Sequence, residues 1–218
     1  MSTQEEENKF IKDWMDSNNA YLLFIFFLSQ SITYYFMKKY IDACDSIVKA
    51  EPYKISCGAY IPSPQHNFYS SLAHLAHYNN CAREQQKEFL QQVEINQDSM
   101  KIWAESCPEN FQNKYDLVEA EKARVLGQIL QAEEFYEKAI QGAKKYKFIH
   151  EEALAYERSA EFYLSLGREE IGKLYLRNTY HCYARWGAKA KVKQLEEEYP
   201  QYLFCLLYTS DAADEEDS

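Results

Sequence analysis

The residues with the spacing of a metal site are His74, His77 and Cys81. Intervals of three and four residues would place all three on one face of a continuous helix, and imidazole and thiolate are ligands that zinc prefers. A fourth ligand is not evident, and Asn79 and Asn80 would end such a helix before Cys81. We therefore interpret the histidines as an exposed or hydrogen-bonded pair and expect no bound metal.

No stretch of the sequence predicts a nucleotide site. A phosphate loop needs closely spaced glycines followed by Lys and then Ser or Thr. The segment Gly167–Gly172, followed by Lys173, comes nearest, but Leu174 stands where the hydroxyl is required. The neighbours His181 and Cys182 would point apart on a helix, so they form no nucleophile–base pair. We expect a chain that is not an enzyme and holds no cofactor.

Charge and cysteine usage narrow the class of protein. The 218 residues carry a formal net charge of −10 with no basic stripe, which argues against a nucleic-acid partner. The scattered cysteines form no metal or redox motif, and no secretory signal precedes them, so we expect reduced thiols in a cytoplasmic protein. Paired acids are interpreted as solvated helix faces; they are Glu133-Glu134, Glu151-Glu152 and Glu196–Glu198.

One apolar run could be mistaken for a membrane segment. Tyr21–Ser29 is strongly apolar but only nine residues long, whereas a spanning helix needs about 20. A buried helix that never contacts the membrane is the better interpretation.

The spacing of glycines and small residues predicts the fold. Gly127 and Gly167 each follow an apolar helix end, and a small residue, Ala139 or Thr179, comes 12 residues after each. A helix–turn–helix unit repeating about every 40 residues is typical of an α-solenoid. Ala139 would let two helices cross closely, and Gly187 would end the next helix. No segment alternates as strands do, so we predict an all-α, right-handed solenoid of antiparallel helix pairs.

The repeat domain is expected over residues 19–203, after an amphipathic lead-in at residues 1–18 with Phe10, Ile11, Trp14 and Met15 on one face. Helix-breaking residues and apolar spacing predict helices over Ala20–Phe36, Lys39–Ala50, Gln65–Tyr78 and Ala82–Glu105. They also predict a proline-rich loop over Glu51–Pro64 and a short break over Ser106–Asn113. Trp186 ends an apolar stripe, and we expect it to anchor the core against Val192, Leu195 and Tyr199.

The C-terminal segment 205–218 is set apart from this pattern. Cys205–Glu215 reads like the translation of a sequencing adapter, so we expect this segment to be an artefact and the natural protein to continue beyond about Leu203.

Several segments of the sequence belong together. They are HNFYSSL (66–72), INQDSMKIWA (95–104), LVEAE (117–121), EEALA (151–155) and CYARWGAKAKV (182–192), followed by Leu195-Glu196 and Tyr199-Pro200. With these segments the chain resembles, over roughly Tyr21 to Leu203, the tetratricopeptide-like helical region of very large signalling proteins. In that family a serine/threonine kinase-like domain and an AAA-type predicted ATPase precede the helical region, and GAF or PAS sensors and a histidine kinase or another output domain follow it.

The resemblance implies a non-catalytic scaffold or regulatory arm that contacts a protein, a peptide or neighbouring domains of its own parent chain. No kinase, ATPase or sensor motif lies in these residues, so the resemblance assigns none of those activities to this chain. Two other hypotheses stay open from the sequence: a free-standing tetratricopeptide adaptor, and an enzyme with an unrecognised site.

Overall fold

The computed structural model describes residues 3–57 and 62–203, and every regular element in those ranges is helical. The expected artefact at residues 205–218 lies outside them. Two compact units divide the chain, Met1–Met100 (unit 1) and Lys101–Ser218 (unit 2). The α-helices are α1 (Thr3–Asp16), α2 (Ala20–Phe36), α3 (Tyr40–Ala50), α4 (Pro62–His77), α5 (Arg83–Ser106), α6 (Pro108–Val125), α7 (Ile129–Lys145), α8 (Ile149–Ser165), α9 (Glu169–Trp186) and α10 (Lys189–Glu198).

Unit 1 is built on the apolar helix α2. Asn19 caps this helix by accepting a hydrogen bond from the Leu22 amide at 3.2 Å. One face of α2 packs with Ile47 and Ala50 of α3 in a single cluster that also contains Leu23, Phe24, Phe27 and Leu28. In the described part of the chain, no helix is long and apolar enough to cross a membrane. The apolar run lies on a helix that buries one face, while Tyr21 and Leu22 at its start stay exposed.

The lead-in helix α1 contributes less than its pattern indicates. Ile11 and Trp14 pack against the α2 cluster. Phe10 and Met15, predicted on the same face, stay about half exposed. The four residues together span more than the width of the contact that α2 offers.

Two predicted breaks are wrong, both for the same reason. Where a loop over Glu51–Pro64 was expected, Glu51–Cys57 forms a 3₁₀ helix and α4 begins at Pro62. Where a break over Ser106–Asn113 was expected, only Cys107 separates α5 from α6, which begins at Pro108. Proline is excluded from a helix interior, but in the first turn its missing N–H costs no hydrogen bond.

Unit 2 is a succession of helix hairpins with one recurring turn. Residues with positive φ stand at Gly127, Lys147, Gly167 and Gly187, at intervals of 20 residues. In each turn the following residue donates its amide to a carbonyl five positions back, for example Gln128 to Ala123 at 2.9 Å. This is the Schellman arrangement, which satisfies carbonyls at the helix end. Sequence reasoning identified the three glycines and missed Lys147, because a lysine gives no sign of a left-handed turn.

Small residues lie where the helices of unit 2 approach. On α7 one face is buried, at Ala132, Tyr136, Ala139, Ile140 and Ala143. Gly142 stands so close to α6 that an added Cβ would lie 3.0 Å from the Asn113 Cβ. Helix α8 contacts α6, α7 and α9, and it is buried on nearly every side.

Candidate functional site

Helices α6 and α8 of unit 2 carry buried charges. Glu121 on α6 is fully buried, and it accepts hydrogen bonds from Arg124 Nη2 at 2.7 Å, from Arg158 Nε at 3.2 Å and from the Tyr136 hydroxyl. Burial alone would raise the pKa of Glu121, but the guanidinium groups of Arg124 and Arg158 outweigh it and hold that pKa at about 2. Glu121 therefore links its own helix, α6, to α7 through Tyr136 and to α8 through Arg158.

A second pair links the same inner helices two turns away. Lys114 Nζ on α6 lies 2.7 Å from Glu151 Oε1 on α8, and Asn113 donates to the other oxygen of that carboxylate. Burial would raise the pKa of Glu151, but the hydrogen bonds and charges of His150, Lys114 and Asn113 lower it overall. The prediction that Glu151-Glu152 forms a solvated face is wrong, because α8 is enclosed by its neighbours and both residues are buried.

The two pairs fix the register of α6 against α8. Lys114 and Glu121 are seven residues apart, as are Glu151 and Arg158, but the order of charge is reversed. A slide of two turns would bring Glu121 opposite Glu151, or Lys114 opposite Arg158. Such like-charge contacts are strongly unfavourable when buried, so only one alignment satisfies both helices.

A third pair continues the pattern along unit 2. Lys191 Nζ on α10 lies 2.7 Å from Glu157 Oε1 on α8, and the Tyr183 hydroxyl of α9 donates to Glu157 Oε2 at 2.6 Å. The three ion pairs are separated by 34 to 37 residues in sequence. That offset is the signal by which sequence analysis could have found them, since it is close to the length of one helix pair.

A groove opens between α6 and α7, with a volume of about 530 Å³. Tyr115, Phe135 and Tyr146 contribute aromatic rings to its lining, and Asp116 contributes a carboxylate that is only 4% exposed. Gln112 donates a hydrogen bond to Asp116 Oδ1 at 3.0 Å. Burial raises the pKa of Asp116 to about 6. Among the described residues Asp116 forms no ion pair, in contrast to Glu121, Glu151 and Glu157.

The histidines of α4 do not converge on a metal site. Helix α4 ends at His77, and Cys81 follows a 3₁₀ turn with an extended backbone, so the three side chains do not share a helix face. His74 is buried and stacks on Phe89 with ring centroids 4.3 Å apart. Within residues 3–57 and 62–203, no group of three His, Cys, Asp or Glu side chains is placed to hold a metal ion.

Helix α4 nevertheless has a polar face inside unit 1. Asn96 of α5 donates to Ser71 Oγ at 3.1 Å, which joins the two helices. Burial lowers the pKa of His66 to about 3 and that of His74 to about 4, so both rings are neutral at pH 7. Their Nδ1 atoms have no hydrogen-bond partner in the described part of the chain.

Two buried cysteines of the described chain, Cys44 and Cys182, have the properties of structural thiols. Cys44, Cys81, Cys107 and Cys182 are free. Burial raises the pKa of Cys44 to about 12 and that of Cys182 to about 11, which keeps both thiols protonated and poorly nucleophilic.

Trp186 is less deeply packed than predicted. Its indole ring is 42% exposed and lies 5.6 Å from the His150 ring and 6.3 Å from the Tyr183 ring. The expectation of a core anchor is therefore wrong in degree, because the C-terminus of α9 lies at the surface of unit 2. Gly127, Gly167 and Gly187 have positive φ, and Ala139 is buried on α7.

Comparison with known proteins gives a short match. A segment of 61 residues is 39% identical to the Hybrid signal transduction histidine kinase G of Dictyostelium discoideum. It covers 28% of this chain and 2% of that protein, so the chain is similar to a very small part of its length. No protein-family model matches the chain, and no solved structure matches it significantly.

Proposed function

We propose that this chain is a non-catalytic scaffold or regulatory segment of a multidomain signal-transduction protein that carries ATPase and kinase modules elsewhere. In this proposal its helix pairs stack as turns of a right-handed solenoid within each unit, and their surfaces contact a protein, a peptide or neighbouring domains. The observation that carries the proposal is the 39% identity over 61 residues to a hybrid histidine kinase.

The architecture of unit 2 supports a positioning role. Four identical turns at 20-residue intervals produce hairpins of nearly constant length. Buried ion pairs between α6, α8 and α10 hold the hairpins in one register. A segment with fixed register suits the transmission of small rotations between modules, since rigid helix pairs move as units.

A free-standing tetratricopeptide adaptor is the alternative from the same structure. Such an adaptor would have the same hairpins, ion pairs and groove as a segment of a multidomain protein. The two proposals differ only in which domains precede and follow this chain. The similarity to a histidine kinase favours the first proposal.

The experiment is to sequence the complete transcript on both sides of this segment. We expect, in the same reading frame, a phosphate loop upstream and a histidine-kinase domain downstream. A complete reading frame that contains helical repeats alone would refute the multidomain proposal and favour the adaptor.

A second measurement tests the non-catalytic role. The purified chain should release no phosphate from ATP above the background of a buffer control. ATP turnover that is lost on a single substitution in this chain would refute that part of the proposal.

A further inference from the structure

Asp116 differs from three other buried carboxylates of unit 2, which are paired with a cation. Glu121, Glu151 and Glu157 each lie within 3.2 Å of a buried lysine or arginine nitrogen. Asp116 is equally buried, yet its one hydrogen bond comes from the neutral amide of Gln112. A buried carboxylate without a cation is costly, so a cation that reaches it gains more than one that meets a solvated acid.

The groove between α6 and α7 gives a cation access to this carboxylate. Asp116 lies in its lining together with Tyr115, Phe135 and Tyr146. Aromatic faces attract cations and stack well on a planar guanidinium. The volume of about 530 Å³ is within the range of ligand sites and exceeds one side chain. An arginine and parts of its flanking peptide could both enter.

We propose that this groove binds an arginine side chain of a partner polypeptide, with the guanidinium paired to Asp116 and stacked on the aromatic walls. The inference rests on the proposed binding role of the chain and names the chemistry of the partner. Arginine is preferred to lysine because its fork of donors can meet both carboxylate oxygens while its plane lies against a ring.

Two lysines in the lining of the groove, Lys138 and Lys145, influence which residues flank that arginine in the partner. Lys138 Nζ lies 2.6 Å from Glu134 Oε1 and 5.0 Å from the centroid of the Phe135 ring, and both ion-pair side chains are at least half exposed. Its charge also acts on Asp116 and partly offsets the rise that burial causes in the pKa of that carboxyl, although the two groups form no ion pair. Lys145 is exposed and lies over the Tyr146 ring at 4.9 Å. Water and salt screen these exposed charges, whereas the field of Asp116 is screened less. The lysines therefore favour acidic residues on either side of the arginine, and they do not cancel the attraction of Asp116.

The test uses the full chain and a fluorescent, end-capped peptide of sequence Glu-Ala-Arg-Ala-Glu. Its twin carries citrulline, which keeps the shape of arginine and lacks its charge. Fluorescence anisotropy should show saturable binding of the arginine peptide and binding at least about tenfold weaker for the citrulline peptide. Asp116→Asn should weaken arginine-peptide binding at least about tenfold, as expected when one partner of a desolvated charge pair is removed.

A matched control and a second readout exclude a folding effect. Asp98→Asn makes the same chemical change at an exposed site on α5 and should leave binding unchanged. Carbon-13 NMR of the Asp116 carboxyl should show its pKa lowered by the arginine peptide and unmoved by the citrulline peptide.

Three results would overturn the inference: no binding of the arginine peptide, equal binding of its citrulline twin, or unchanged binding by Asp116→Asn. A preference for a peptide without arginine that is lost on Lys145→Gln would instead identify an anion site. None of these outcomes depends on which domains flank the chain, so the inference and the proposed function can fail separately.

Discussion

Glu121→Gln is the most informative substitution in unit 2, because it removes one charge and little volume from the point where three helices meet. In the wild type, Glu121 balances Arg158, whose side chain is 7% exposed, and it also accepts from Arg124 and Tyr136. The amide would deprive the buried guanidinium of Arg158 of the charge of Glu121, while the ion pair of Arg158 with Glu161 would remain.

The expected loss of stability follows from the pKa of Glu121. Its fall from 4.5 to about 2 corresponds to about 3 kcal/mol of preference for the ionised form in the folded state. Breaking a buried ion pair typically costs about 3–5 kcal/mol, which agrees. We expect Glu121→Gln to lower the free energy of unfolding by about 3 kcal/mol at pH 7, a large share of a domain's stability.

The stabilisation that Glu121 provides should depend on pH. Because the folded pKa lies below the unfolded one, this stabilisation is present above about pH 4.5 and is lost as the pH falls towards 2. Urea unfolding followed by circular dichroism should therefore show a gap between wild type and variant that narrows over that window.

Glu133→Gln is the matched control. Glu133 also forms an ion pair with a distant residue, Arg168, at 2.6 Å, but both side chains are partly exposed. Its loss should cost under about 1 kcal/mol. If Glu121→Gln costs no more than Glu133→Gln, or if its cost is the same at pH 3 and pH 7, the reasoning from burial is refuted.

Four further substitutions test other parts of the structure by urea or thermal unfolding. Asp116→Asn should raise the free energy of unfolding at pH 7, because it removes a buried charge that has no ion pair. Since the pKa of Asp116 is raised in the folded state, this gain should disappear as the pH falls from about 6 to 4. A gain that does not depend on pH would contradict the explanation. Lys147→Gly should stabilise by about 0.5–1 kcal/mol by relieving a φ of 63°, whereas Gly187→Ala should destabilise by about 1 kcal/mol. Trp186→Ala should lower the free energy of unfolding by about 1–2 kcal/mol, less than the roughly 3–5 kcal/mol of a buried aromatic residue. A loss of about 3–5 kcal/mol would mean that Trp186 packs more strongly than its exposure indicates.

The sequence predicted the helices well and the buried charges poorly. Periodicity located α2 from Ala20 to Phe36 because one face of that helix meets the core and the pattern is local. Glu151 was assigned to solvent because acids are rarely buried, and only the partner 37 residues earlier explains its place. A pairing of that kind depends on which helices meet, which local patterns do not contain.

The same limit applies to the candidate site. Asp116 has no motif around it, and the groove forms only where side chains of α6 and α7 come together in the fold. Lys147 likewise adopts a turn that three glycines adopt elsewhere, because the hairpin geometry imposes it.

The 20-residue interval between turns constrains how this chain can change in length. Each residue advances an α-helix by about 100°, so inserting one inside α8 would rotate every later side chain away from its ion-pair partner. Gain or loss of a whole hairpin, about 40 residues, would preserve both the turn and the facing charges. Duplication and deletion of complete modules is therefore the route by which such a chain can lengthen or shorten without refolding its neighbours.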